Sequence, residues 1–171
     1  TVLDVGAATC RYRKDFSHCN YKTHHFTRYE GYRNDKEGRY GEIDYISDIT
    51  AIPVPDNSYD VVLCTEVLEH VPEPIAALQE MARILKPGGR LLITAPLGSG
   101  LHQIPYHFYG GFTPYWYRHF CPKYGLSVVE VVPNGGFFKL LAQECTRVAW
   151  TMPQHEHLHG NNKEMIRALF E

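Results

Sequence analysis

Short apolar runs alternate along this chain with longer stretches of helical period. Several of the runs are continuously hydrophobic, which is typical of parallel strands buried on both faces. Six strands are predicted: Val2–Val5, Lys22–Phe26, Ile43–Ile46, Asp60–Thr65, Arg90–Ala95 and Ser127–Val132. The alternation predicts an α/β fold, a mostly parallel sheet with helices on both faces. Because the first run starts at once, we expect an N-terminal helix or a terminal strand to lie outside this chain.

Helical period marks the stretches between these runs. After the fourth run, Pro74 suits the first position of a helix, and Pro87-Gly88-Gly89 is expected to end it. Its predicted apolar face is Ile75, Leu78, Ala82 and Leu85. A short helix is predicted after the first strand, with Tyr12, Phe16 and Cys19 on one side. A last helix is predicted from Phe137, Leu140, Leu141, Cys145 and Val148.

Residues 97–120 have no sustained period and are crowded with Gly, Pro, His and aromatic side chains. We expect a long loop that leads into a helix near Thr113. This loop would leave the carboxyl end of a central strand, where α/β proteins bind their ligands. This loop is therefore predicted to form one side of any ligand site built there.

Length and composition narrow the function classes. The 171 residues favour a single domain over 1–171. The net charge of −2 argues against a nucleic-acid partner, because phosphate-backbone binding needs a broad cationic surface. No apolar run reaches the length of a membrane span, so no membrane partner is expected. The five cysteines include no C-x-x-C pair, which indicates free thiols and a cytoplasmic location.

Four segments stand in order along the first 96 residues. Thr1–Cys10 runs from a strand into a turn of small residues, where a ligand can approach the backbone. Asp48–Asp60 brackets a Pro-rich stretch, Thr65-Glu-Val-Leu-Glu-His70 follows the fourth strand, and Ile84–Gly89 precedes the fifth. A tight strand-to-helix turn without a ligand is the alternative for the first segment taken alone.

Together these segments resemble the class I S-adenosylmethionine-dependent methyltransferases, particularly the group with small-molecule substrates. The resemblance covers about residues 1–96, the cofactor half, and implies a Rossmann-like fold, S-adenosylmethionine as cofactor and methyl transfer to a small organic acceptor. It implies that Asp4, Gly6, Ala7 and Ala8 form the cofactor loop, that Asp48 and Ile49 meet the adenine, and that Cys64 and Thr65 line the floor near the sulfonium.

Three positions depart from the family pattern. Ala8 and Cys10 stand where further glycines are usual, so two extra Cβ atoms enter a crowded turn. His25 stands where the second strand usually ends in an acid that accepts from the ribose hydroxyls, and a neutral imidazole can still accept one such bond. Glu30 is the alternative ribose ligand, and a strand-end pair with His24 that binds nothing is the alternative for His25.

Methyl transfer mainly requires that acceptor and methyl be held in contact, so a dedicated base is optional. If the acceptor is a hydroxyl, the candidate bases are His107, His102 and His70, each of which could instead be a packing residue. Tyr106, Tyr109, Tyr115, Trp116 and Tyr117 would wall the acceptor pocket or pack as a lid.

Four further interpretations remain. The alternating His155, His157 and His159 resemble a metal tract, but no second ligand pair stands at zinc spacing, and no metal is predicted. Arg11, Arg13 and Lys14 are expected to be solvated or to steer an anionic acceptor. A binding-only domain without catalysis is the main functional alternative. A nicotinamide-dependent oxidoreductase is another, although the chain lacks G-x-G-x-x-G.

Overall fold

The computed structural model describes residues 1–26 and 41–151, with side chains described as far as residue 147. The chain forms two compact units. The first comprises residues 1–97 and 101–129, and the second comprises residues 98–100 and 130–171. Among the described residues, no helix is both long and apolar enough to cross a bilayer. All five cysteines are free thiols, as the sequence predicts.

The first unit is built on one parallel sheet. Its five strands are β1 (Val2–Val5), β2 (Tyr21–His25), β3 (Tyr45–Ile46), β4 (Tyr59–Thr65) and β5 (Leu85–Thr94). They lie in the order β3-β2-β1-β4-β5, and every neighbouring pair is parallel. The predicted α/β, Rossmann-like fold is therefore confirmed, and β1 lies at the centre of the sheet.

The central strand β1 divides its side chains between two cores, because successive residues of a strand face opposite ways. Leu3 and Val5 belong to the larger core, with Val62 and Cys64 of β4. Val2 belongs to a smaller core on the other side. All four residues of β1 are buried between the two cores, which explains why the strand is apolar except at Asp4.

The described residues form three α-helices. Helix α1 (Pro74–Ile84) lies between β4 and β5, and α2 (Pro114–Phe120) and α3 (Phe137–Thr151) follow β5. The same residues include two short 3-10 turns, Leu68–His70 and Cys121–Tyr124. The helix beginning at Pro74, the helix after Thr113 and the helical period from Phe137 are all as predicted. Helix α3 belongs to the second unit, and Phe137 and Phe138 on it are exposed.

The predicted details of α1 need correction. Its buried side chains are Pro74, Ala77, Leu78, Glu80, Met81 and Ile84. Ile75, which the sequence analysis placed on the buried face, is exposed. Leu85 already belongs to β5, so Pro87-Gly88-Gly89 does not end the helix. These residues instead occupy an irregularity in the pairing of β4 with β5, where the register shifts between Tyr59 and Val61.

Residues 127–132 do not form the predicted sixth strand. A strand needs a neighbour to satisfy its backbone N–H and C=O groups. Within the described residues the sheet ends at β5, and this segment pairs with none of its strands. Val129 and Val132 are correspondingly exposed, which makes the apolar run misleading when read without a pairing partner.

The short helix predicted after β1 is also absent. Residues 8–18 form consecutive turns, held by bonds such as that from the Arg13 N–H to the Cys10 carbonyl at 3.1 Å. Tyr12, Phe16 and Cys19 nevertheless share one side, since all three pack against the smaller core of Val2, Tyr21 and Leu63. The apolar spacing was informative, but left-handed backbone at Ala8 and Cys10 prevents a regular helix from starting there.

An ion pair between buried Glu80 and half-buried Arg83 ties α1 to the chain between β3 and β4. Glu80 accepts the Ile52 N–H at 2.7 Å and pairs through both carboxylate oxygens with Arg83. Arg83 also donates to the carbonyls of Ile52 at 3.0 Å and Val54 at 2.9 Å and to the Asp56 carboxylate. Hydrogen bonds from the Arg83 guanidinium lower the pKa of Glu80. This network fixes the segment that follows Asp48.

Glu80→Ala is expected to lower the free energy of unfolding by about 1–3 kcal/mol, because it leaves the buried Ile52 N–H without its acceptor and Arg83 with one carboxylate partner fewer. Urea denaturation measures the loss. Glu73→Ala, at the exposed N-cap of the same helix, is the matched control and should change stability by less than about 1 kcal/mol. Equal losses in the two variants would contradict the structural role of Glu80.

Candidate functional site

The carboxyl ends of β1, β2 and β4 open on a cavity of about 250 Å³. Five of the residues that the sequence analysis assigned to a cofactor line it: Gly6, Ala8, His25, Asp48 and Ile49. The same cavity is lined by Gln103, Tyr106 and Phe108, which belong to the loop predicted over residues 97–120. The fold thus brings together segments that are about forty and one hundred residues apart in the chain.

The turn after β1 forms one wall of the cavity. Gly6 adopts a left-handed conformation, with φ +74°, and a Cβ built there would lie 2.4 Å from Cγ2 of Val67. The His24 carbonyl accepts both the Gly6 N–H at 2.9 Å and the Ala7 N–H at 3.0 Å. Glycine is therefore required at this position by conformation and by space.

The two departures from glycine lie in left-handed backbone. Ala8 has φ +45° and Cys10 has φ +56°, a region that costs an L-residue about 1–2 kcal/mol. Ala8 lines the cavity, whereas Cys10 is buried beside it. The turn therefore has left-handed backbone, the conformation typical of glycine, at two positions that are not glycine.

Four predicted cofactor residues do not line the cavity: Asp4, Ala7, Cys64 and Thr65. Asp4 is buried and accepts a hydrogen bond from the Tyr21 hydroxyl. Burial raises the pKa of its carboxyl group. Cys64 is completely buried in the larger core, and burial raises the pKa of its thiol as well. Their assignment to the cofactor stays a prediction.

Two neighbouring imidazoles at the end of β2 face the cavity. His24 Nε2 lies 3.1 Å from both the carbonyl and the hydroxyl oxygen of Ser47. A carbonyl can only accept, so Nε2 carries the proton and Nδ1 presents a lone pair. Among the described residues, Nδ1 of His24 has no hydrogen-bond partner although it is buried. The sequence analysis weighed His25 as the ligand, and the structure adds His24.

Burial keeps both imidazoles neutral. It lowers the pKa of His24, and it lowers the pKa of His25 to about 4, with a smaller contribution from His24 beside it. The ring of His25 also meets Phe26 edge to face, with centroids 5.4 Å apart. Neutral imidazoles are suited to hydrogen-bonding hydroxyl groups rather than to pairing with anions.

Asp48 and Ile49 form the opposite wall. The Asp48 carboxylate accepts the Thr50 N–H at 2.9 Å and the Thr50 hydroxyl at 2.7 Å, which orients it at the start of the tight turn after β3. Ile49 is buried and joins the larger core. A fixed carboxylate and an apolar side chain thus stand side by side.

The three histidines considered as bases come together. The rings of His70 and His102 have centroids 4.9 Å apart, and those of His102 and His107 are 4.4 Å apart. His70 also donates from Nδ1 to the Tyr106 carbonyl and lines the cavity. Residues from two separate segments therefore form one imidazole cluster, which sequence spacing alone could not show.

Backbone hydrogen bonds hold the loop in place. The Glu69 carbonyl accepts the N–H groups of Phe108 at 2.9 Å and Tyr109 at 3.2 Å, and the Tyr109 hydroxyl donates to the Pro72 carbonyl. Of the predicted aromatic wall, Tyr106 lines the cavity. Tyr115 is exposed, while Trp116 and Tyr117 pack against the larger core.

Left-handed backbone at non-glycine residues is concentrated around the cavity. Within the described residues it occurs at Ala8, Cys10, Asn57, Glu66 and Gln103, and three of these, Ala8, Glu66 and Gln103, line the cavity. Such strain clusters at ligand sites because it is retained only where the surroundings impose it. Glu66, which accepts from the Thr94 hydroxyl at 2.7 Å, and Val67 were missed as wall residues. Their position directly after β4 was the available signal.

Other predicted features fall elsewhere. Glu30 and the His155, His157 and His159 tract lie outside the described residues. Arg13 donates to the Glu42 carbonyl at 2.8 Å and lies over the Tyr21 ring, and Arg11 lies over the Tyr12 ring. These contacts place the two arginines on the surface of the turn after β1.

Comparison with known proteins gives a consistent family. A family model described as "Methyltransferase domain" matches residues 3–93. An uncharacterized methyltransferase of Mycobacteroides abscessus is 33% identical over 96 residues, covering 50% of this chain and 37% of the relative. The ubiquinone/menaquinone biosynthesis C-methyltransferase UbiE of Pasteurella multocida is 40% identical over 97 residues, covering 54% and 33%. The chain spans about a third of the length of these curated relatives.

Solved structures show the same fold over more of the chain. A protein of Galdieria sulphuraria, provisionally assigned as a sarcosine dimethylglycine methyltransferase, aligns with a TM-score of 0.63 at 19% identity, covering 97% of this chain and 70% of that one. The CurJ carbon methyltransferase aligns with a TM-score of 0.56 at 15% identity, covering 79% and 43%. At these identities the likeness concerns the fold alone.

Gly6→Ala is expected to lower the free energy of unfolding by roughly 2–4 kcal/mol, from left-handed strain and from the collision with Val67. Gly88→Ala is the matched control, because Gly88 has φ +78° but open space around the added Cβ. It should show the strain alone, about 1–2 kcal/mol. Adding Val67→Ala to Gly6→Ala should show favourable coupling in a double-mutant cycle of urea midpoints. Equal effects at the two glycines would contradict the collision.

Stability is expected to fall with acidity because of His25. The unfolded imidazole, with pKa about 6.5, binds a proton more readily than the folded one, with pKa about 4. The contribution of the neutral His25 imidazole to the free energy of unfolding is therefore complete above pH 6.5 and is lost as the pH falls toward 4. Between pH 7 and pH 5 it amounts to roughly 2 kcal/mol. His25→Gln should remove that part of the pH dependence of unfolding, whereas exposed His18→Gln should not. Superimposable profiles of the parent and His25→Gln would refute this.

Proposed function

Because this chain belongs to the methyltransferase-domain family, we propose that it binds S-adenosylmethionine in the cavity at the ends of β1, β2 and β4 and transfers its methyl group to a small organic acceptor. The observation that carries the proposal is the meeting of three segments on one cavity. These are the Gly6 turn, the Asp48 turn and the loop that contains Tyr106 and Phe108.

The residues around the cavity fit the parts of the cofactor. The methionine part of the cofactor has to lie close to the protein backbone. The turn at Gly6 exposes backbone to the cavity, and it has no room for a Cβ at this residue. An adenine needs an apolar surface and an acceptor for its amino group, which Ile49 and the Asp48 carboxylate offer side by side. These are the positions that the family resemblance assigns to the same parts of the molecule.

For the ribose we propose His24 together with His25. Nδ1 of His24 presents a buried lone pair to the cavity, which can accept a hydrogen bond from a ribose hydroxyl. The contact replaces the carboxylate that the family usually places at the end of the second strand. Because both imidazoles are neutral, this form of recognition adds no charge to the cavity.

The acceptor would enter under the loop. Tyr106 and Phe108 offer flat apolar surfaces and the histidine cluster offers polar groups, a combination that suits an aromatic or glycosylated small molecule better than a long polymer. The matching family model ends at residue 93, before this loop, so the substrates of the relatives do not carry over to this chain. His107 stays the preferred candidate for a base.

The reaction places modest demands on the protein. S-adenosylmethionine supplies an electrophilic methyl group on a sulfonium, and displacement in line by the acceptor needs no covalent enzyme intermediate. The chain has to bind both partners in contact and to exclude water, which can contribute about 7–11 kcal/mol in favourable cases. The loop that Glu69 holds by its carbonyl is the element that would cover the reacting atoms.

Asp48→Ala is expected to weaken the binding of S-adenosylmethionine and of its demethylated product by about 1–3 kcal/mol, roughly 5- to 150-fold in Kd, because the Asp48 carboxylate would no longer accept a hydrogen bond from the adenine amino group. Isothermal titration calorimetry measures both ligands. Because Asp48 also holds Thr50, Asp48→Asn should preserve the turn better and still weaken binding. Exposed Asp15→Ala is the control. Unchanged affinity in folded Asp48 variants would remove this residue from the site.

The same calorimeter separates the alternative functions. We expect S-adenosylmethionine to bind and NAD not to bind, and we expect methyl transfer to appear in a panel of aromatic and glycosylated acceptors. Tight binding of NAD would favour an oxidoreductase. Cofactor binding with no turnover across the panel would favour a binding-only domain. Failure of S-adenosylmethionine to bind a folded protein would contradict the proposal.

A further inference from the structure

A buried carboxylate lies against the histidine cluster under the loop. Glu69 is 1% exposed, and its Oε1 lies 3.6 Å from Nε2 of His70. The possible ligand atoms of Glu69, His70 and His102 all lie within 4.8 Å of one another. The ring of His107 is adjacent to that of His102. A group of this composition has a donor set that transition metals bind.

The protonation of His70 is fixed by its other nitrogen. Nδ1 donates to the Tyr106 carbonyl, which can only accept, so the neutral imidazole carries its proton on Nδ1. Nε2 then presents a lone pair toward the Glu69 carboxylate. Metal-binding histidines are oriented in this way, with the distal N–H held by a carbonyl.

The backbone supports the same arrangement. Loop residues Phe108 and Tyr109 donate to the Glu69 carbonyl, so the segment that carries His102 and His107 is held at the residue that supplies the carboxylate. Glu66, the nearest other acid in the sequence, accepts from Thr94 and is already oriented by that bond. The candidate donor set therefore comprises one carboxylate and two imidazoles, with a third imidazole beside them.

We propose that Glu69, His70 and His102 bind a divalent transition-metal cation, with Zn²⁺ as the best match. Two histidines and one carboxylate form a ligand set of catalytic zinc sites, which leave a further position open. His70 lines the cavity, so the open position would be reached from the cavity. Ligands of tetrahedral zinc lie about 3.3 Å apart, so the cation would draw the most widely separated of these ligand atoms together by up to about 1.5 Å.

This inference does not rest on the proposed methyl transfer, and its test uses no S-adenosylmethionine. The C-terminal His155, His157 and His159 could bind Zn²⁺ by themselves, so the full chain carrying alanine at these three positions is the parent protein of the experiment. Metal-free parent is titrated with Zn²⁺ by calorimetry in the presence of a competing chelator. We expect one ion per chain and a rise in Tm.

His102→Ala in this parent should weaken Zn²⁺ binding by more than about 100-fold, since changes to outer-shell partners alone reach that size. Exposed His18→Ala is the matched control and should leave binding unchanged. Near-equal affinity in His102→Ala and His18→Ala would overturn the assignment. So would absence of Zn²⁺ binding to the folded parent, which would leave a proton shared between His70 and Glu69 as the occupant.

Co²⁺ gives a second measurement that needs no variant of the cluster. Bound in place of Zn²⁺, it should give the strong visible absorption of a four- or five-coordinate site, and Zn²⁺ should displace it. A spectrum like that of aqueous Co²⁺ at saturating protein would overturn the proposal even if His102→Ala failed to fold. A result against the metal would leave cofactor binding untouched, and loss of cofactor binding would leave the Zn²⁺ titration valid.

Discussion

The carbonyl of His24 accepts two backbone N–H groups, those of Gly6 and Ala7, and the site depends on this contact. It joins the turn after β1 to the end of β2, so the chain turns at the carboxyl edge of the sheet instead of continuing as a strand. Val5 is at the same time in register with His24 on one side and with Cys64 on the other. The turn therefore has a fixed height relative to both neighbouring strands.

Several local costs follow from that geometry. The turn has to adopt left-handed backbone at Gly6, Ala8 and Cys10, and Val67 closes the space above Gly6. Only the first of these residues is a glycine. The stability of the surrounding sheet offsets the strain at the other two, since Leu3 and Val5 are completely buried in the larger core. Polar groups that would be costly elsewhere in the core, such as the neutral imidazole of His24, are retained at the cavity.

The sequence was most informative where hydrophobic period and position in the sheet agree. It predicted β1 with its observed bounds, the start of α1 at Pro74, and five cofactor residues that line the cavity together with His70 and Tyr106. It failed at residues 127–132 because an apolar run does not reveal whether a neighbouring strand is present. It also failed after β1, where conformation at Ala8 and Cys10 decides between a helix and successive turns.

The histidine cluster could not be predicted from the sequence, for a geometric reason. His70 and His102 are 32 positions apart, and their proximity depends on where the loop settles after β5. Spacing along one segment can reveal ligands that a helix or strand presents together. It cannot reveal a pair that forms when a distant loop folds back toward the sheet. For this reason the sequence analysis did not select Glu69 as a candidate ligand.

That loop is held to the rest of the first unit by main-chain groups at Phe108 and Tyr109. These two main-chain bonds do not depend on which side chains the residues carry, although the Tyr109 hydroxyl adds a bond to the Pro72 carbonyl. Side chains elsewhere on the loop can therefore be substituted while the loop keeps its place. Under the proposed function, acceptor preference and loop position would be separately adjustable, and one cofactor half could be combined with many acceptor surfaces.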